Sequence, residues 1–189
     1  AFGQAETVNA LGVGYARLGQ SDDAREQYSK AVELRRALGD RRGVASSLRN
    51  LAQINTVQGR YAEAQAQLDE ARGLFEAIAD AEGIAAVDNE LGLLAEERGD
   101  FAAAEAAFRR VLRAREDGGD DYGVAESLDN LGFAQFALGD YDSAGAFWKQ
   151  SLEAFGKLQD GEGQVRAQQN LGALETARGN WPQARKLLD

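Results

Sequence analysis

The stretch LGFAQFALGDYDSAGAFW, residues 131–148, decides the fold. Its apolar residues continue a stripe begun at Leu128 and Leu131, at the three- and four-residue spacing of one helix face. Nothing in it alternates as a half-buried strand would. The run breaks at Gly139 and Asp140. Glycine there ends a helix in the left-handed conformation that a β-carbon opposes. The aspartate beside it accepts hydrogen bonds from the free N–H groups of a second helix. Asp142 adds negative charge at the positive end of that helix. Ala144 and, four residues on, Trp148 give the second helix a small and a large apolar side chain on one face. The stretch therefore reads as two helices and the turn between them.

The pattern returns every 40 residues without a gap. Leu11, Leu51, Leu91, Leu131 and Leu171 stand at the eighth place of units 4–43, 44–83, 84–123, 124–163 and a partial 164–189. Each is followed by a small residue, Gly12, Ala52, Gly92, Gly132 or Gly172. Turn glycines recur at Gly19, Gly59, Gly99, Gly139 and Gly179, and alanines at Ala24, Ala64, Ala104, Ala144 and Ala184. Four residues beyond each alanine stands Tyr28, Leu68, Phe108, Trp148 or Leu188. A fixed period of this length marks a stacked repeat. The small residue lets two helices approach, and the large one fills the space between neighbours. Stacking buries a stripe that one hairpin cannot bury alone. The predicted fold is all-α: an α-α superhelix, or solenoid, of helical hairpins, forming a single array over 1–189 without domain boundaries.

DGGDDYG, residues 117–123, has the composition of a ligand loop but falls under the same repeat. It aligns with ALGDRRG (37–43), AIADAEG (77–83) and KLQDGEG (157–163), and only the central aspartate and last glycine recur. A calcium loop starting at Asp117 needs an acid at its twelfth place, where Leu128 stands. A phosphate loop needs a strand before it and a Lys-Ser/Thr pair after it, and it has neither. Asp40, Asp80, Asp120 and Asp160 are instead predicted helix caps, as are Asp100, Asp140 and Asn180 in the other turn. Asp22, Asp23 and Glu63 supply further acid to first turns of second helices.

The formal charge of −10 argues against an electrostatic grip on nucleic acid or an anionic membrane. By unit it runs +1, −3, −5, −5 and +2, so the middle of the array is acidic. There is no histidine and no cysteine, which removes the commonest general base, the commonest metal ligand and the thiol nucleophile. None of the seven serines lies in a Gly-x-Ser-x-Gly elbow. Glu96 and Glu97 are adjacent and point about 100° apart on a helix, so they do not converge on one bond. No catalytic residue, metal or cofactor is expected. No run of 18 apolar residues is present, and a cytoplasmic setting is expected. Ala1, Phe2 and Gly3 match the last three places of a unit, and the final helix stops at Leu188 and Asp189 just past its aromatic place. A fragment of a longer protein is the expectation.

Leu-Gly, the inter-helix glycine and the Ala/aromatic pair of 131–148 resemble the tetratricopeptide repeat. The resemblance covers nearly the whole chain. These units are longer than the usual repeat and carry Asp-x-x-Gly in place of its closing proline. That form is similar to the repeats of Pins-type spindle-orientation scaffolds and kinesin light chains, and to those attached to bacterial signal-transduction ATPases and transcription activators. The Ala/Arg-rich RRVLRAR (109–115) leans bacterial.

The resemblance implies a protein- or peptide-binding scaffold whose first helices line a concave groove. Carried onto this sequence, the groove positions are Asn9, Arg49, Asn50, Gln53, Asn89, Glu90, Leu93, Asp129, Asn130, Phe133, Phe136, Gln169 and Asn170. Asn50, Asn130 and Asn170 each offer a donor and an acceptor to an extended peptide. Phe133 and Phe136 read as an apolar anchor in the groove or as core. The carboxylate clamp of chaperone adaptors needs several basic residues on this face. Only Arg49 fits, with Asn89 and Asp129 at the corresponding places, so that subclass is rejected. Glu90, Glu96, Glu97, Glu126 and Asp129 favour a basic or neutral partner segment. The alternatives are an effector-sensing arm of a bacterial regulator and a self-association module.

Overall fold

The computed structural model describes residues 2–188. The matching of Ala1 to the end of a unit, and the stop at Asp189, lie outside the described residues. The chain divides into two compact units, Ala1–Arg98 and Gly99–Asp189. The first holds α1 (Phe2–Arg17), α2 (Ser21–Ala37), α3 (Arg41–Val57), α4 (Tyr61–Ala77) and α5 (Ala81–Glu97). The second holds α6 (Phe101–Gly118), α7 (Asp121–Leu138), α8 (Tyr141–Lys157), α9 (Gly161–Ala177) and α10 (Trp181–Leu188). No strand occurs among the described residues. Among the described residues no helix is long and apolar enough to cross a membrane.

The turns are built as the repeat predicts. Gly19, Gly59, Gly99, Gly139 and Gly179 all have φ between 72° and 82°. Asp40, Asp80 and Asp120 each accept from the backbone N–H three residues on, at Gly43, Gly83 and Gly123. Asp160 accepts from Glu162, while Asp100 and Asp140 cap α6 and α8 through Ala103 and Ser143. DGGDDYG is one such turn, with Gly119 at φ 68° and Asp120 capping α7. Asn180 differs: its amide donates to Glu175 Oε2 at 2.7 Å. The reason is local, since Pro182, the second residue of α10, has no N–H to give to a cap.

The predicted core residues are buried. Ala24, Ala64, Ala104 and Ala144 are fully enclosed, and Tyr28, Leu68, Phe108 and Trp148 are at most 4% exposed. In the first unit, Val32, Val44, Leu48, Leu68, Phe75 and Leu94 form one cluster, and Tyr28, Leu51 and Ile54 a second. In the second unit, Trp148 packs with Ala144, Leu171 and Leu174. Leu11 and Leu188 depart from the pattern at 49% and 55% exposed. Leu51 is covered by Ala24 and Tyr28 of α2, and no described helix stands in that relation to α1.

Two turns carry strain that the repeat shows how to remove. At the left-handed place filled by Gly39 and Gly119 stand Ala79 (φ 53°) and Gln159 (φ 56°). A β-carbon there costs about 1–2 kcal/mol. Ala79→Gly and Gln159→Gly are each expected to stabilise by about 0.5–1 kcal/mol, the gain reduced by glycine's larger unfolded-state entropy. Urea midpoints of the single variants measure this, and an unchanged or lowered midpoint refutes it.

Candidate ligand-binding surface

The candidate positions lie on first helices, and within each unit the sixth place of one repeat meets the seventh of the next. In the second unit this brings Asp129 of α7 to Asn170 of α9, whose Nδ2 donates to Asp129 Oδ1 at 2.9 Å. Arg166 Nε donates to the other carboxylate oxygen at 2.9 Å. The Asp129 carbonyl accepts from Trp148 Nε1, so the residue is only 8% exposed. Asp129 and Asn170 are therefore committed to joining two helices. In the first unit the same two places hold Arg49 of α3 and Glu90 of α5. Burial raises the Glu90 carboxyl above its ordinary range, and the Arg49 charge pulls it partly back.

The other candidates divide by environment. Asn9 is half-buried, and its Oδ1 accepts from Ser47 Oγ at 3.1 Å. Asn50, Asn89, Leu93 and Asn130 are half-buried, and Gln53 and Gln169 are exposed. Phe133 is 46% exposed and meets Phe101 edge-on at 6.4 Å between ring centroids. Phe136 stacks on Tyr141 at 5.2 Å and packs on Trp148, which places it with the core. Of the two phenylalanines, Phe133 is the one that faces outward. Gathered on each unit, then, are a charged and amide-bearing patch on α3 and α5, and an amide and phenyl patch on α7 and α9.

Sequence reading passed over Arg166 and Phe101. Both carried a signal. Arg166 is 37 residues from Asp129, three short of one repeat, and so lies one turn before the aligned position on the next first helix. Phe101 belongs to a recurring aromatic at the start of second helices, with Tyr61, Tyr141 and Trp181.

Glu96 is the most perturbed acid. Burial, and then the Glu97 charge, push its carboxyl up to about 7 from 4.5, and its Oε1 is buried without a hydrogen-bond partner. An acid whose folded pKa exceeds its unfolded value is protonated more readily when folded. Stability contributed this way is present below pH 4.5 and is lost as pH rises to about 7. Glu96→Gln should flatten that slope and raise stability at about pH 8 by roughly 1 kcal/mol, after discounting for solvent screening. Unfolding midpoints at about pH 5 and pH 8 test this, and an unchanged pH slope in the variant refutes it.

Among the described residues no group of His, Cys, Asp or Glu is arranged to hold a metal ion. Helical hairpins of one design, repeated along the chain, define a helical-repeat protein. The chain belongs to the tetratricopeptide repeat family, whose model matches residues 3–77, 44–117, 83–157 and 123–189. Its fold is similar to that of BtubC (BKLC) from P. vanneervenii, with TM-score 0.85 and 21% identity over 97% of this chain and 76% of that one. It is also similar to PH0952 from Pyrococcus horikoshii, a signal-transduction ATPase with numerous domains and a tetratricopeptide repeat sensor. There the TM-score is 0.84 and the identity 17%, over 98% of this chain and 29% of that one. A Rap protein complexed with competence and sporulation factor matches with TM-score 0.83 and 15% identity, over 97% of this chain and 52% of that one. No curated protein matches the sequence.

Proposed function

We propose that the chain is a non-catalytic scaffold that binds a protein or peptide segment on its first-helix surface. One observation carries this reading. Asn50, Gln53, Asn89, Asn130 and Gln169 make no side-chain hydrogen bond among the described residues. Each amide offers both donors and an acceptor, the set needed to hold the backbone of an extended segment. Within the second unit, Phe133 supplies an apolar anchor on the same helix as Asn130. The acidic character of units 84–123 and 124–163, each −5, favours a neutral or basic segment. On this reading the chain needs no cofactor or metal and works in the cytoplasm.

Affinity capture from the source lysate tests it, with the chain beside an Arg49→Ala, Asn130→Ala, Phe133→Ala variant whose circular dichroism is unchanged. A protein retained by the first and lost by the second is the expected result. Equal retention by both refutes the surface assignment. No retained protein, together with a thermal shift produced by a small-molecule extract, puts an effector-sensing arm in its place.

A further inference from the structure

The second unit contains a cleft that the first unit has closed. It lies among α6, α7 and α8, has a volume of about 520 Å³, and has Leu112, Val124, Leu128 and Phe147 in its walls. The corresponding residues of the first unit, 80 earlier in the sequence, are Val32, Val44, Leu48 and Gln67. Val32 and Val44 are each only 4% exposed, and Leu74 packs against their cluster. Where the first unit has Leu74, the second has Ala154, a cleft-lining residue. Leu112 and Val124 are correspondingly only half-buried.

The polar rim differs in the same sense. In the first unit Arg36 of α2 reaches Glu70 of α4 at 2.5 Å. In the second unit these places hold Glu116 and Gln150, so the bridging guanidinium is gone and an acid stands in its place. Asp121 and Glu153 add two more acids to the rim. The one lining base, Lys157, pairs with Glu153 at 2.8 Å and also feels the Asp121 charge, which leaves Glu116 as the rim acid without a lining cation. Arg109 stacks its guanidinium on Phe147 at 5.5 Å, with its charge matched by Glu105. The cleft is thus apolar at its floor and acidic at its edge.

We infer that this cleft is a second docking site, taking a partner segment that presents one leucine-sized side chain flanked by arginine or lysine. Such a segment supplies what Leu74 and Arg36 supply within the first unit: an apolar group over the half-buried Leu112 and Val124, and a cation for the acidic rim at Glu116. The site is distinct from the first-helix surface. On α7, Leu128 and Asn130 are two residues apart and so point about 200° from one another round the helix.

The test is a titration of the isotope-labelled chain, followed by amide resonances, with the peptide acetyl-Ala-Arg-Ala-Ala-Leu-Ala-Ala-Arg-Ala-amide. Saturable shifts at Leu112, Val124 and Ala154 are expected. Glu116→Arg, an exposed change, should weaken binding at least about fivefold, and salt should weaken it too, since the rim charges are solvent-exposed. Ala154→Leu, which rebuilds the first unit's filling, should reduce binding at least about tenfold while leaving circular dichroism unchanged. The proposal is overturned by the absence of a saturable shift at the cleft, by equal binding of a peptide with both arginines replaced by glutamate, or by binding undiminished in Glu116→Arg or in Ala154→Leu. If the cleft resonances instead move with the chain's own concentration, the occupant is a second copy and the basic segment is refuted. The capture experiment on the first-helix surface reads different residues, so either result can fail alone.

Discussion

Replacing Trp148 with alanine is expected to destabilise the second unit by about 3–5 kcal/mol, the range for deleting a buried aromatic side chain. Trp148 is 1% exposed and packs with Leu171, Leu174 and Phe136. Its Nε1 also donates to the Asp129 carbonyl at 3.1 Å, so alanine removes a buried hydrogen bond as well as leaving a void. Trp148 stands 16 residues after Gly132, and a β-carbon on Gly132 would fall inside contact distance of the indole ring. The matching pair in the second repeat is Ala52 with Leu68. Gly132→Ala alone should cost roughly 1–3 kcal/mol by overpacking, and Trp148→Leu alone roughly 2–4 kcal/mol through the cavity. Together they reproduce the Ala52–Leu68 pair, and the double variant should be more stable than the sum of the single losses by about 1–3 kcal/mol. Alanine's advantage over glycine inside a helix, about 1 kcal/mol, is realised only once the ring is smaller. Urea unfolding of the four proteins gives the coupling, and strict additivity refutes it.

That pairing was legible in the sequence because both members recur in every repeat at fixed places. The helix caps were legible for the same reason: the capping residue and the N–H that it meets are three residues apart or fewer. The candidate surface was legible only in part. Repeat register put the right helices forward, but it could not show that Asp129 is held by Arg166 and Asn170, which come from the next repeat. Phe136 read as core or anchor with equal right, since three- and four-residue spacing does not say on which side of a stripe a residue ends. Its packing on Trp148 and Tyr141 decided that. Least legible were features with a period of 80 residues, because a 40-residue comparison discards them as variation.

The junctions between hairpins have such a double period. At one place near the end of second helices the sequence reads Arg35, Phe75, Arg115, Phe155, and in the following first helix Ser47, Val87, Ser127, Ala167. Arg115 Nη1 donates to the Gly123 carbonyl at 2.6 Å and to Ser127 Oγ at 3.0 Å, and lies 3.6 Å from Glu126. Arg35 does the same with Gly43 and Ser47, both at 2.8 Å. At the alternate junctions the rings of Phe75 and Phe155 lie flush against Gly83 and Gly163, and Val87 and Ala167 are fully buried. Arg115→Phe alone should therefore destabilise by about 2–3 kcal/mol, because Ser127 is completely buried and would keep an unsatisfied hydroxyl. Adding Ser127→Val converts the junction to the Phe75–Val87 type. Replacing both partners with apolar groups of fitting shape is close to neutral, so the second change should restore at least about 1 kcal/mol. Ser127→Val in the presence of Arg115 should instead be destabilising, since it removes an acceptor from a guanidinium that is 17% exposed. The sign of the serine substitution thus depends on the residue at 115. If Ser127→Val has the same effect in both backgrounds, the two junction chemistries are not interchangeable modules and the double period is sequence drift without energetic meaning.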